Sequence, residues 1–174
     1  MESVLQNQDT IWQRYRFLLA VALPVLILDQ TTKSLVRTNL ALEETWVPWQ
    51  WVDRFGRIVH WKNEGSAFDW FSWNKWVYIL LAVIGTVAIL YFFPRIPKRD
   101  WSFRLSMGLL LGGIISNNLI DRLIIGHVTD LIMIGYGDVF NLADVSNFAG
   151  LIILILGYLT EERRKKPHNN GDEI

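Results

Sequence analysis

The sequence predicts an all-α membrane protein: four transmembrane helices, with a small extracytoplasmic β-and-loop cradle between helices 1 and 2. Three observations predict it. Four apolar runs punctuate the 174 residues, each extendable to the roughly 20 residues that cross a bilayer core. Apolar residues make up 51% of the chain although 20% is charged, and the charges gather between the runs and at the ends. Trp occurs nine times, mostly in one polar segment, as in the aromatic belts of membrane interfaces. The length suits a single domain, 1–174, with tails at 1–14 and 161–174.

Composition also excludes functions. The formal net charge is zero, so no bulk basic field points to nucleic acid. There is no Cys. A disulfide framework, a thiol nucleophile, a thiolate metal site and a lipid anchor on the chain's own Cys are therefore ruled out.

Residues 1–10 are polar and expected to fray. Arg14 and Arg16 precede an apolar run over 17–28. It looks like a secretory signal peptide, but no small-x-small cleavage site follows; Asp29-Gln30-Thr31-Thr32-Lys33 does. Continued to Val36, the run spans about 30 Å as a helix, one bilayer core. Asp29 and Lys33 stand i, i+4 and can pair near the far interface. They suit a helix end reaching water as well as a supporting role in a site.

Residues 38–73 are not a span. They hold Glu43, Glu44, Asp53, Arg54, Arg57, Lys62 and Glu64, with Trp46, Trp49, Trp51, Trp61, Trp70 and Trp73. This describes a small piece lying on the headgroups. Residues 57–61 are strand-like, and Asn63-Glu64-Gly65-Ser66-Ala67-Phe68 is a turn leading back to the membrane. The second span covers 76–93, ended by Pro94 and Pro97. The third covers 105–125, and the fourth has its apolar heart at 148–159, starting near Asn141 or Asp144. Residues 161–174 are a charged tail with no folding signal.

Arg14 and Arg16, the loop with Arg95, Lys98, Arg99 and Arg104, and the tail with Arg163-Arg164-Lys165-Lys166 fall on one side of a four-span arrangement. The positive-inside rule makes that side cytoplasmic, with both termini inside. The first outer loop also holds Arg37, Arg54, Arg57 and Lys62, balanced by acids. The second outer loop, nearly free of Lys and Arg, decides the orientation.

The chemistry concentrates between Gly112 and Gly150. This stretch carries Asn117, Asn118, Asp121, Arg122, Asp130, Asp138, Asn141 and Asp144 in an apolar setting. Ionisable groups at membrane depth cost roughly 2.5–3.5 kcal/mol each on insertion scales, so they are normally paired or functional. Asn118, Asp121 and Arg122 stand at i, i+3, i+4 and share a helical face. Gly112 and Gly113 below them permit close helix approach. That cluster reads equally as an intrahelical cap and as support for a site.

Asp130 follows Val128-Thr129 in a short loop after Gly126; Asp144 sits at the start of the fourth helix. Asp144 alone reads as an acid favoured by the helix dipole, Asp130 alone as a solvated loop acid. Brought together, they cannot easily both ionise, so they share one proton. Such a pair can deprotonate a water and protonate a departing amide nitrogen. Other chemistries have less support. His60, His127 and His168 are isolated, no phosphate loop appears, and Ser116 and Ser146 lack an evident base. A carboxylate metal site from Asp121, Asp130 and Asp144 is open to hard cations, though no spacing singles it out.

Five motifs together carry a resemblance: Asp29-Gln30-x-x-Lys33, Asn63-x-Gly65-x-Ala67-Phe68, Asn118-x-x-Asp121-Arg122, Val128-x-Asp130 and Phe140-Asn141-x-Ala143-Asp144. In order and membrane placement the chain resembles the lipoprotein signal peptidase, or signal peptidase II, family over about residues 16–158. That family is a bacterial membrane aspartic endopeptidase. It cleaves a prolipoprotein signal peptide just before the lipid-modified Cys, with two Asp and a water and no cofactor or metal.

The resemblance implies that Asp130 and Asp144 are the catalytic pair. It implies that Asn63, Asn118, Arg122 and Asn141 position substrate or the pair. Gly65, Ala67 and Phe68 would belong to the cradle, and Asp29, Lys33 and Asp121 would be supporting polar residues. The implied partners are lipid-modified prolipoprotein signal peptides and membrane lipid, with the protein a monomer in the bacterial cytoplasmic (inner) membrane.

The chain departs from the family's pattern in places. Asn117 stands where Gly is usual, Ser66 where Ala is common, and Thr129 and Leu131 where Val and Phe are frequent. The connection from Asp130 to Asp144 is short. The rival reading is a non-enzymatic polytopic membrane protein, a small transporter or assembly factor, with Asp121 and Arg122 as an intramembrane ion pair.

Overall fold

Four helices form on the four apolar runs. The computed structural model describes residues 2–65, 74–135 and 137–165. Helix α1 is Glu2–Asn39, α2 Lys75–Phe92, α3 Trp101–Ile114 and α4 Leu142–Lys165. The parts apolar and long enough to cross a bilayer are Tyr15–Asn39, Lys75–Arg95, Trp101–Ile125 and Leu142–Arg163.

Two expected ends are corrected. Residues 2–10 do not fray but continue α1, and 161–165 continue α4. The added residues of α4 are Glu, Arg and Lys, whose straight side chains lose little rotamer freedom in a helix. Pro94 stops α2 as expected. The chain tightens into a 3₁₀ turn at Phe93–Arg95 with Pro94 at its start, where a missing N–H costs nothing.

The third span is the centre of the bundle. Some 44% of its apolar window is buried, against 22%, 22% and 17% for the other three spans. Its small residues explain why. A Cβ on Gly112 would meet the Ala22 carbonyl of α1 at 2.8 Å, and one on Gly113 the Ala143 carbonyl of α4 at 2.6 Å. The helices thus touch through their backbones, as small residues allow in membranes. Leu18, Ala22, Ile89, Phe93 and Leu111 form the apolar core. Leu23, Ile27 and Leu28 of α1, Leu80 and Ile84 of α2, and Leu151, Ile155 and Leu156 of α4 face outward. Such a surface suits acyl chains rather than water.

Past Ile114 the third span widens into a π-helix, Ile115–Ile125, ending at Gly126 with φ +93°. Its last hydrogen bond runs five residues back, from the Gly126 N–H to the Asp121 carbonyl, 2.9 Å. Ser116, Asn117, Asp121 and Arg122 are all buried here. At about 100° per residue an α-helix would splay Arg122 about 240° round from Ser116. The wider turn narrows that spread, so all four reach the interior. π-Helical turns are rare and frequently lie at functional sites.

The cradle is a four-stranded antiparallel sheet, ordered β1-β2-β3-β4. Strand β1 is Thr45–Trp46, β2 Gly56–Asn63, β3 Val128–Ile134 and β4 Val139–Phe140. The expected strand at 57–61 lies within β2. Two strands, however, come from the connection between α3 and α4, not from that between α1 and α2. Asp130 is therefore on a strand and not in a loop. Val128, Thr129, Leu131 and Ile132 supply the β-branched and apolar run that a half-buried strand prefers. Trp46, Trp49 and Trp51 stay more than half exposed around this sheet, as an interfacial belt would. Ala67, Phe68, Trp70 and Trp73 lie outside the described residues.

Candidate active site

The sheet end of the bundle gathers the polar residues. Trp61 pairs with Asp130 and Asn63 with Val128 across β2 and β3. Asn63 is thus the diagonal neighbour of Asp130, a spacing across which polar side chains meet. Its Nδ2 donates to Asp130 Oδ2 at 2.8 Å. Its Oδ1 accepts the N–H of Gly65 at 2.8 Å, which fixes the amide's orientation. Gly65 has φ +100°, and a Cβ there would run into the Tyr78 ring. The Tyr78 hydroxyl donates to the Gly65 carbonyl at 2.6 Å.

Asp144 is held by a reciprocal cap at the start of α4. The Asn141 Oδ1 accepts the Asp144 N–H at 2.9 Å, and Asp144 Oδ2 accepts the Asn141 N–H at 3.1 Å. This is the capping-box exchange with Asn and Asp in its two places. The same Asn141 sends its Nδ2 to Asp130 Oδ1 at 2.7 Å. One buried amide therefore clasps both carboxylates, the side chain on one and the main chain on the other. Asn117 completes Asp144, donating from Nδ2 to Oδ1 at 2.7 Å.

Asp130 is only 1% exposed. Burial pushes its carboxyl up to about 6; the negative charge of Asp144 raises it too, while the amides of Asn63 and Asn141 pull it down.

Beside this pair lies an ionic cluster built on the fully buried Asp29, Lys33 and Asp121. Lys33 Nζ is 2.7 Å from Asp29 and 2.8 Å from Asp121. Arg37 approaches Asp121 at 3.9 Å and donates to Thr129 Oγ1 at 3.1 Å. Ser116 donates to Asp29 at 2.6 Å, and Gln30 to Ser116 and Asp121, both at 2.8 Å.

Each acid of the cluster also grips a neighbour of an aspartate above. Asp29 Oδ1 accepts the Ala143 N–H at 2.9 Å, one residue before Asp144. Asp121 Oδ2 accepts the Thr129 N–H at 3.3 Å, one residue before Asp130. The expected Asp29–Lys33 pairing is present and buried, so the helix-end alternative is set aside.

The structure separates Asp121 from Arg122. Among the described residues the ion partners of Asp121 are Lys33 and Arg37. Arg122 instead lies 4.2 Å over the Tyr78 ring, with Nε on Asn118 Oδ1 at 3.3 Å and Nη1 on the Glu64 carbonyl at 3.4 Å. The intramembrane Asp121/Arg122 pair of the rival reading is thus replaced by two separate assemblies. Of the i, i+3, i+4 face expected of an α-helix, Asn118 and Arg122 still meet, while the wider turn of the π-helix carries Asp121 away to Lys33. Among the described residues, no three His, Asp or Glu are grouped to hold a metal ion.

Six contributing side chains were not among the expected site residues: Gln30, Arg37, Ser116, Asn117, Thr129 and Tyr78. Gln30 lies inside the Asp29-Gln30-x-x-Lys33 motif and is the easiest to find. Nothing in the sequence marks Tyr78. A cavity of about 720 Å³ lies away from all of these, between Arg99–Phe103 and the C-terminal turns of α4.

Known proteins resemble this chain in sequence and in fold. A family model described as signal peptidase (SPase) II matches residues 21–160. A lipoprotein signal peptidase of Mycobacterium avium is 36% identical over 180 residues, covering 95% of this chain and 94% of the relative. One from Halalkalibacterium halodurans is 32% identical over 155 residues, covering 87% and 97%. A solved bacterial membrane enzyme superposes with a TM-score of 0.77 at 26% identity, over 88% of this chain and 94% of that one.

Proposed function

Since the chain belongs to the signal peptidase II family and is a multi-pass membrane protease, we propose that Asp130 and Asp144 cleave prolipoprotein signal peptides by activating a water between them. The single observation that carries this reading is Asn141, hydrogen-bonded to both carboxylates. It supports a fixed pair, and the burial of Asp130 supports one proton shared between them.

The chemistry balances on that one proton. The ionised carboxylate takes a proton from water, whose oxygen bonds to the scissile carbonyl carbon. The carbonyl oxygen takes the proton of the other carboxyl, giving a neutral diol. One diol proton then returns to the second carboxylate as the amide nitrogen takes the first one's proton and the C–N bond breaks. An acid and an amine leave, and the pair is back with one proton.

The charge distribution along the chain supports a cytoplasmic location for both termini and an outward-facing sheet, in the bacterial inner membrane. The signal segment would then lie among the lipid-facing helices with its scissile bond at the outer interface, and the lipid on the substrate Cys would stay in the bilayer. Asn63, Gly65, Asn118 and Arg122 surround the pair on the side of the connection to α2 and would position the substrate.

The test is cleavage of a lipid-modified prolipoprotein by Asp130→Asn and Asp144→Asn proteins made separately. Each is expected to lose cleavage by roughly 10²–10⁴-fold, the worth of a general acid–base. Ordinary activity in either overturns the mechanism.

A further inference from the structure

The two carboxylates are matched in number of donors but not in what lies behind those donors. Asp130 receives the side-chain amides of Asn63 and Asn141. The Oδ1 of Asn63 in turn accepts the Gly65 N–H, and that of Asn141 the Asp144 N–H. Both amides are backed by neutral main chain.

Asp144 receives the Asn141 N–H and the amide of Asn117. The Oδ1 of Asn117 accepts from the Lys33 ammonium at 2.5 Å. A cation on an amide's oxygen polarises its N–H, so that donor binds an anion more strongly.

The charged groups around the pair are Asp29, Lys33 and Arg37 from α1, and Asp121 and Arg122 from the π-helix. Among the described residues none of them forms a salt bridge to Asp144. Lys33 reaches it through Asn117, which is itself 5% exposed.

We infer that Asn117 is a positioning residue that carries the charge of buried Lys33 to Asp144, so that Asp144 holds the negative charge of the pair and Asp130 holds its proton. This rests on the two-aspartate reading above. It assigns an order to the chemistry: Asp144 takes the proton from water, and Asp130 gives its own to the carbonyl oxygen. Asp130 is fully buried where Asp144 is only half-buried, and the neutral form is favoured at the more buried of the two. The π-helix is what aims Asn117 here, since its turn sets Ser116 towards Asp29 and Asn117 towards Lys33 and Asp144 together.

Asn117→Gly and Asn117→Leu proteins test it, purified as the full chain and assayed on a lipid-modified prolipoprotein across pH. Without the polarised donor the pair's first deprotonation becomes harder. The acid limb of the kcat/KM profile then moves up by about one pH unit, the worth of one charge-assisted hydrogen bond. At the foot of that limb kcat/KM falls about tenfold, while the alkaline limb and KM stay in place. A loss of cleavage with an unmoved acid limb in both variants marks a merely structural role and overturns the inference.

A second measurement avoids catalysis. In Asp130→Asn protein, the ¹³C titration of the remaining carboxyl of the pair should move up by a similar amount on adding Asn117→Gly. If it moves but cleavage survives Asp130→Asn, the coupling stands and the two-aspartate mechanism falls. If cleavage needs both aspartates and the titration does not move, the inference falls alone.

Discussion

Replacing Lys33 with Met removes an ammonium shared by two buried carboxylates. Lys33, Asp29 and Asp121 are all 0% exposed, with contacts of 2.7 and 2.8 Å. Met nearly preserves the length and volume of the chain, so the change is electrostatic. Breaking a buried ion pair from one side costs about 3–5 kcal/mol, because the charge left behind has no compensation. Here two charges are left, with only Arg37 near Asp121 at 3.9 Å, which places the loss at the upper end.

For a chain of this length each kcal/mol moves the thermal midpoint by about 2–4 °C, so a loss of about 5 kcal/mol is expected to lower it by roughly 10–20 °C. Thermal unfolding in detergent micelles, followed by the fluorescence of the nine Trp, measures it. Adding Asp29→Asn and Asp121→Asn to the Lys33→Met protein should recover most of the loss. The neutral amides still offer an oxygen to the N–H groups of Ala143 and Thr129, and none of the three fully buried charges of the cluster remains. A fall under about 2 °C from Lys33→Met, or a triple variant no more stable than the single, refutes the view that this cluster is held by charge.

Two more predictions follow from the geometry. On the proposed mechanism the pair carries one proton, and Asp130, with its carboxyl pushed up to about 6, loses it as pH rises. The kcat/KM of the free protein should therefore decline as pH increases through about 6, and a profile flat from about pH 5 to 8 contradicts this. At Gly113 an added methyl would press on the Ala143 carbonyl at 2.6 Å and on Asn147, beside Asp144. Gly113→Ala should destabilise the protein by about 1–3 kcal/mol through overpacking. It should lower kcat at least roughly tenfold, because small misplacements of reacting groups are costly; an unaffected kcat would show that the start of α4 tolerates the shift.

The helices were legible because the bilayer imposes a length and a composition that any apolar run must meet. Asn141 and Asp144 were legible as a helix start for the same local reason that capping residues usually are. What hid was long-range. The partner of Asp121 is Lys33, 88 positions earlier, and Arg122 at its side proved a poor guide to that. Asp130 passed for a loop acid because β3 is short and its pairing with β2 crosses the whole of α2 and α3. The π-helix was invisible for a different reason. Its sequence has ordinary helix formers, and only the burial of Ser116, Asn117, Asp121 and Arg122 together requires the wider turn. Asn117 therefore stood out as a departure from a family pattern before it had any contact to explain it.

The hydrogen bond from Ala143 to Asp29 joins the last helix to the first. On the proposed mechanism, a chain that ends before α4 lacks the Ala143 N–H that Asp29 accepts, the Asn141 that clasps Asp130, and the second carboxylate. The same mechanism then requires that hydrolytic capacity arrive only with the docking of the final span.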